Sequence, residues 1–225
     1  MWQKLKQEFY EIDLNEWVRA PQFTLFTKMI PTGFNLCVDI DVTRMYTYFK
    51  EKGYKFSIGY RYITIKLINK RDYFRVAYKD GKLGYYNHLV PTYVNFHEDD
   101  KSTSVMWVDY EDSFEEFNKK YLEEEAKYKD VHGLVAKPEM PPENGCMVGI
   151  LPWISFKSYS PVPYAMGTQF FPILESGKFK KDDGKILMPF SITVHHAVAD
   201  GYHVGSYLEE LQAAMNKPEE WAKGI

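Results

Sequence analysis

Hydrophobic and polar positions alternate through "FNLCVDIDV" (34–42), with Phe34, Leu36, Val38 and Ile40 on one side and Asn35, Cys37, Asp39 and Asp41 on the other. A period of two predicts a half-buried strand. The spacing then changes: Val42, Met45, Tyr46 and Phe49 fall on one helical face, and Gly53 is placed to stop the helix. Residues 57–70 are apolar enough for a well-buried helix, although their β-branched content leaves a strand open. "FRVAYKDGKLGYY" (74–86) predicts two short strands around a Lys-Asp-Gly turn, and "TYVNFH" and "SVMWVDY" continue the strands. Over 111–130, Phe114, Phe117, Tyr121 and Leu122 share one face of an amphipathic helix whose acidic run reads as solvated surface. The proline-rich stretch 137–145 is a loop. Further strands are predicted at 146–151, 153–159, 169–174 and 185–195, with "GKFKKDDGK" forming a hairpin end. A last helix is predicted from Tyr202 to Asn216, because Val204, Tyr207, Leu208, Leu211 and Met215 keep its period and Lys217-Pro218 ends it.

Strands and helices intermix without regular βαβ alternation and without an internal repeat. The expected fold class is therefore α/β, a two-layer sandwich with helices packed on a large mixed sheet. A chain of 225 residues with 45% hydrophobic content fits a single domain spanning 1–225. Aromatic residues make up 17%, enough to fill a broad core or line concave sites and subunit contacts. A net charge of −3 gives no general attraction for nucleic acid or anionic lipid. The charged start lacks the apolar run of a signal peptide, and no stretch approaches the roughly 18 apolar residues of a membrane span. A soluble, cytoplasmic protein is expected. Cys37 and Cys146 have no metal-ligand spacing and read as free, buried thiols.

The chemistry concentrates in "VHHAVADGYHVG" (194–205). Strand parity puts His196 with Phe190, Ile192 and Val194, and His195 with Ser191 and Thr193. An imidazole held at a strand end and partly desolvated can serve as a general base; it can equally be a satisfied core histidine. Asp200, just before the last helix, also reads as an N-cap. His195, His196 and His203 make a poor metal site, because neighbouring side chains on a strand point oppositely.

"HHAVADGYHVG", preceded by "LMPFSITV", resembles the active-site strand and loop of the chloramphenicol acetyltransferase family, CoA-dependent acyltransferases with a His-x-x-x-Asp-Gly motif. The motif also occurs in dihydrolipoamide acyltransferase cores. The resemblance extends through "NEWVRAPQFTLF", "PTGFNLCVDIDVT", "GYKF", "FRVAYKDGKL", "NFHE" and "LPWISF". It implies a homotrimer with active sites at subunit interfaces and direct transfer from acetyl-CoA, a co-substrate rather than a permanent cofactor, to a hydroxyl acceptor in a ternary complex. His196 would be the general base, and Asp200 would pair with Arg19 to hold the histidine loop. Pro152, Trp153, Lys55 and Lys178 match positions on the CoA side, where Ser57 and Phe179 stand for expected tyrosines. Phe26, Ile30, Phe34 and Tyr159 match the acceptor pocket.

Several positions depart from the pattern. Gly149 stands where the family has the serine that stabilises the oxyanion, and Glu175 where it has a threonine. Losing one oxyanion donor typically costs a factor of about 10²–10³ in turnover. Thr103 and Ala136 replace aromatics of the acceptor pocket, and Pro161 and Pro163 interrupt its apolar wall. The expected activity is acetyl-CoA-dependent O-acetylation of chloramphenicol or a related acceptor. The alternatives are a divergent acyltransferase for another acceptor, and a non-catalytic trimeric binding protein. No metal, nucleic acid or membrane partner is expected.

Overall fold

The computed structural model describes residues 5–162 and 169–223. The first short strand, β1 (Phe9–Glu11), joins β3 (Val76–Lys79) and β4 (Lys82–Tyr86) in a three-stranded sheet of order β1-β4-β3. The main sheet contains β2 (Gly33–Asp41), β5 (Val90–Phe96), β6 (Thr103–Trp107), β7 (Gly145–Leu151), β8 (Ile173–Gly177) and β10 (Lys185–His195). Its order is β2-β10-β8-β7-β5-β6, with β9 (Lys180–Asp182) pairing with β10. The β5–β7 and β7–β8 pairs are parallel and the others antiparallel, so the sheet is mixed, as expected.

The switch of period after residue 42 produces α2 (Thr43–Lys52), ended by Gly53 at φ 71°, a left-handed conformation that glycine adopts without Cβ strain. The ambiguous segment is a helix, α3 (Phe56–Asn69), and it is covered nearly all round. Such a helix has no polar stripe for a sequence pattern to reveal. It lies between the sheet and the outer helices α2, α4 (Phe114–Tyr128) and α5 (Gly201–Asn216). Helix α5 buries Val204, Tyr207, Leu211 and Met215, the row its spacing marks. A short helix, α6 (Pro218–Trp221), follows. Two of the three Asp-Gly dipeptides form hairpin turns: Asp80 and Gly81 have φ of 50° and 77°, Asp183 and Gly184 of 43° and 75°; the third, Asp200-Gly201, opens α5.

Four sequence expectations are corrected. Residues 153–159 form no strand; after Pro152 the chain crosses the sheet irregularly, and Ile154 O accepts from Lys178 N at 2.8 Å. The strand expected at 169–174 begins at Ile173 and runs to Gly177, because Pro172 cannot donate to a ladder; before it only Gln169 makes a bridge, to Ala77. Leu122 lies on the predicted face of α4 but is 40% exposed, since the helix beneath it covers only Phe114, Phe117 and Tyr121. The thiols are free as expected, but only Cys146 is buried; Cys37 is half-buried.

Candidate active site

Strand β10 ends at His195, and the chain turns through Ala197, Val198 and Ala199 before α5 begins. These three residues are fully buried, so the turn can be tight only because they are small. His196 therefore sits one residue beyond the strand, on the turn itself, where its backbone N–H donates to Thr32 O at 2.9 Å. Its environment is nevertheless the apolar one that parity assigns. The Phe26 ring stacks on the imidazole at 4.0 Å and 5°, and Phe34 meets it edge-on at 5.1 Å.

The ring's polarity follows from its one hydrogen-bond partner. Nδ1 lies 3.2 Å from Ala199 O. A carbonyl only accepts, so the neutral ring carries its proton on Nδ1 and presents a lone pair on Nε2. Arg19 fixes the turn that positions this group. It enters from the residue before α1 (Ala20–Thr24) and donates from Nε to Ala197 O at 3.0 Å, from Nη2 to His196 O at 3.0 Å and from Nη1 to Asp200 Oδ2 at 3.1 Å.

Asp200 has both of the roles its position allows. It pairs with Arg19, and it caps α5, accepting from Tyr202 N at 3.1 Å and His203 N at 3.5 Å. Burial pushes its carboxyl up, but hydrogen bonds from His203 and Arg19 outweigh this and hold it at about 2. The His203 ring lies against the same carboxylate, Nδ1 to Oδ1 at 2.7 Å. His195 turns to the other side, where Nδ1 accepts from Ala197 N at 3.1 Å and burial, helped by His196, lowers its pKa. Thus the three histidine rings serve three separate neighbourhoods. Asp99, Asp100 and His132 do bring ligand atoms within 4.8 Å of one another, but all three are exposed. No sequence spacing marks this group, because Asp99 and Asp100 lie in the β5–β6 turn while His132 follows α4, on a segment bound to β6 through Val131 O and Leu134 O.

The second group of candidates lies on the other face of β10. Parallel pairing sets Gly149 on β7 opposite Glu175 on β8, and Glu175 is opposite Ser191 on β10. A Cβ placed on Gly149 would fall 2.5 Å from Glu175 Oε1, 2.6 Å from Cδ and closer still to Oε2. The Glu175 carboxyl therefore fills the space that a side chain at 149 would need. Burial pushes this carboxyl up to about 7, with Arg61 pulling weakly the other way. Beside it, Ser191 Oγ donates to Tyr159 O at 2.6 Å and accepts from Asn35 Nδ2 at 2.7 Å, and the same amide reaches Thr193 Oγ1 at 2.8 Å. This polar cluster was partly legible, since Ser191 and Thr193 share a strand face, but the contribution of Asn35 needed the β2–β10 register.

A cavity of about 470 Å³ opens at the end of β10, lined by Phe34, Asn35, Thr193, His195, Phe170 and Ile173 among others. Phe34 lines the cavity and also meets the His196 ring, and of the two adjacent histidines it is His195 that lines it. Pro161 also lines this cavity, whereas Pro163 lies outside the described residues. Ile30 is 59% exposed, and Thr103 is exposed while Ala136 is buried. On the CoA-side positions, Trp153 is 60% exposed with Phe96 against it at 4.8 Å, and Pro152 is exposed. Lys178 is exposed, but Lys55 is bound to Glu125 at 2.5 Å, so it is not free for a phosphate without breaking that pair. Phe179 packs on Phe56 at 4.9 Å, and Ser57 O accepts from Arg61.

Comparison with known proteins agrees with the resemblance. The family model described as chloramphenicol acetyltransferase matches residues 7–212. Named chloramphenicol acetyltransferases from Clostridium perfringens (33% identical, 95% of this chain and 98% of the relative) and Proteus mirabilis (37%, 89% and 92%) align over most of both chains. A solved chloramphenicol acetyltransferase superposes with a TM-score of 0.83 at 18% identity, over 92% of this chain and all of the other. A probable dihydrolipoamide acetyltransferase from Listeria monocytogenes shares the fold at a TM-score of 0.62 and 15% identity, over 95% and 96% of the two chains. Matched from β1 to the last turns of α5, the chain belongs to the chloramphenicol acetyltransferase family.

Proposed function

We propose that this protein is an acyltransferase that moves the acetyl group of acetyl-CoA to the hydroxyl of chloramphenicol or a close relative, both substrates being bound at once. The observation that carries the reading is His196: a ring clamped by Phe26, tied at Nδ1 to Ala199 O, and left with an unshared pair on Nε2. That atom takes the acceptor's hydroxyl proton as the oxygen attacks the thioester carbon. The imidazolium then returns the proton to the departing thiolate. Holding both substrates together supplies much of the acceleration, and no covalent acyl-enzyme is needed.

One chain does not hold a complete site in this reading. Glu175 faces Ser191, and His196 follows five residues later, about 16 Å along the strand at roughly 3.3 Å per residue. A homotrimer in which one copy supplies His196 and its neighbour the Gly149–Glu175 wall closes that gap. Apolar side chains left exposed at the edge and face of the sheet support it: Leu36, Val38, Val94 and Phe96, with Trp153 and Ile154. Pro152, Trp153 and Lys178 are proposed to meet CoA, and Phe26, Phe34 and Tyr159 the acceptor. The described residues share one core, in keeping with a single domain. Among them no helix is long and apolar enough to cross a membrane, and consumption of acetyl-CoA fits the cytoplasm.

The test is thiol release from acetyl-CoA with and without chloramphenicol, repeated with His196→Ala. Acceptor-dependent release that falls at least 10³-fold in the variant is expected. Release only with other alcohols or amines moves the assignment to a different acceptor, as the altered Gly149, Glu175, Thr103 and Ala136 positions would allow. An unaffected His196→Ala enzyme refutes the mechanism.

A further inference from the structure

We infer that Glu175 acts as a neutral carboxylic acid whose O–H donates to the oxyanion formed on the acetyl carbonyl, from the space that a side chain at position 149 would otherwise occupy. The inference rests on the proposed function, in which this pair faces the transferred acetyl group.

Three observations lead to it. The first is positional: Gly149 and Glu175 are in register on adjacent parallel strands, and the carboxyl oxygens sit 2.5 Å or less from where a residue-149 Cβ would be, well inside van der Waals contact. A serine hydroxyl at 149 would hang one bond beyond that Cβ, so the carboxyl occupies the same region of the site from the neighbouring strand. The two residues are thus one substitution, written at two positions.

The second is the lack of compensation. Glu175 is half-buried, and among the described residues no hydrogen-bond donor or cation is paired with its carboxyl. The charged and titratable groups around it are accounted for. On α3, Arg61 stacks over the Tyr93 ring at 4.2 Å and donates to Ser57 O at 3.4 Å, while its Nε is buried without a hydrogen-bond partner; its charge acts on Glu175 only through space. Tyr60 on the same helix is fully buried, and burial first of all pushes its phenol up, with Glu175 adding to the effect. On the segment crossing the sheet, burial and then Glu175 raise the Tyr159 phenol. On β10 the Ser191 hydroxyl is already committed to Tyr159 O and Asn35. On β2 the Cys37 thiol points to Asn35 Oδ1 at 3.1 Å. Of the groups named here only Arg61 favours the carboxylate, and burial outweighs it, carrying the group up to about 7.

The third is chemical. A carboxylate beside a developing alkoxide would repel it, whereas a protonated carboxyl is a strong donor; a desolvated acid kept neutral for this purpose is a known catalytic device. In the proposed step, the acceptor O–H gives its proton to His196 Nε2 and its oxygen bonds to the acetyl carbon. The carbonyl π pair moves onto oxygen, and Glu175 O–H donates to that oxygen without transferring its proton. Collapse re-forms the carbonyl and expels the CoA thiolate, which takes the proton from His196.

The deciding experiment measures kcat against pH for the wild type, Glu175→Gln and Glu175→Ala. The wild type is expected to lose activity above about pH 7 as Glu175 ionises. Glu175→Gln keeps a donor that does not titrate, so its rate relative to wild type should rise about tenfold from pH 6 to pH 8. Glu175→Ala should fall about 10²–10³-fold at pH 6. The inference is overturned if the wild-type and Gln profiles have the same shape, if Ala matches wild type, or if Gln falls as far as Ala at every pH. The last outcome would mean that the ionised form is needed, as for an acceptor carrying an ammonium group. Infrared difference spectroscopy supplies a readout independent of the acceptor: a protonated-carboxyl carbonyl band should be present at pH 6, vanish above pH 8, and be missing in Glu175→Gln. Absence of that band at pH 6 also overturns the inference. Failure of the parent reading looks different, as a wild-type enzyme with no acceptor-dependent thiol release or one indifferent to His196→Ala.

Discussion

Replacing Arg19 by alanine tests what holds the His196 turn in place. Arg19 is only 12% exposed at its side chain, whereas Asp200 is 38% exposed. The ion pair that the motif advertises is therefore the weaker part of the arrangement. An exposed pair contributes roughly 0–1 kcal/mol, while each charged donor to a sheltered carbonyl contributes about 1.5 kcal/mol at the low end of its range. With Ala197 O and His196 O both losing such a donor, Arg19→Ala should cost about 3 kcal/mol. Asp200→Asn, which keeps a good N-cap, should cost less than about 1 kcal/mol. Urea denaturation of both variants and of the double variant gives the coupling directly; a value below about 1 kcal/mol is expected. Turnover should fall further than stability in Arg19→Ala, because freeing the His196 carbonyl lets the ring shift, and a displacement near 1 Å costs on the order of 10²-fold. The charge of Asp200 has its own signature. Its folded pKa is depressed to about 2, so its contribution is present above the unfolded value of about 3.9 and is lost as pH falls through about 2. If Asp200→Asn proves as damaging as Arg19→Ala, the carbonyl argument is wrong and the ion pair holds the turn.

The other expected outcomes follow from Glu175, Gly149 and Gly59. Gly149→Ser alone must displace the flexible Glu175 carboxyl and should lose about 1–2 kcal/mol; in combination with Glu175→Thr the loss should shrink, leaving a coupling of at least about 1 kcal/mol in chemical denaturation. Because the folded pKa of Glu175 is raised from 4.5 to about 7, stability is full below 4.5 and declines as pH rises through 7. Relative to wild type, Glu175→Gln should gain nothing near pH 4 and roughly 2–3.4 kcal/mol by pH 8, the upper figure being the unscreened shift. Gly59→Ala, although favourable for an isolated helix by about 1 kcal/mol, should destabilise by about 1–3 kcal/mol, since its Cβ would strike the Phe49 ring and come 2.8 Å from Met45 Cε. A raised melting temperature for that variant would show that the α2–α3 contact can give way.

Much of the fold was readable because its signals are local. The strand at 185–195 is bounded by a turn glycine on one side and small residues on the other, and α5 carries a full apolar row with a cap at Asp200. Helix α3 was ambiguous for a physical reason: buried on all sides, it shows no period to distinguish it from a strand. Residues 153–159 misled in the opposite direction. Their apolar side chains suit a strand, yet their backbone is used by Ser191, Lys178 and Cys37 in single hydrogen bonds instead of a ladder. At the site, His196 and Asp200 were legible from residue type and spacing and Arg19 only through the family resemblance, while the half-exposed state of Asp200 was not legible at all. It depends on how far α5 and the turn leave that carboxylate open to solvent, which no spacing encodes. The coupling of Gly149 to Glu175 was invisible in sequence, where 26 positions separate them, and becomes evident only through the β7–β8 register.

That register also underlies the proposal that the site is shared between copies of the chain. Ser191, opposite Glu175, and His196 are fixed on one continuous backbone, so within a chain their separation cannot be altered by loop motion. A rigid strand holding the proposed base at its end and the proposed oxyanion wall across its middle is productive only if the end of one strand meets the middle of another. The exposed apolar row of β2, Leu36 and Val38, lies alongside that same strand at the sheet's free edge. An unpaired edge with apolar side chains favours association, which would bury it and bring a second β10 end near the Glu175 wall. Leu36→Lys should therefore weaken association and lower turnover in parallel, with activity recovering at high protein concentration. A monomeric variant with undiminished turnover would show that the base and the wall do not belong to one site.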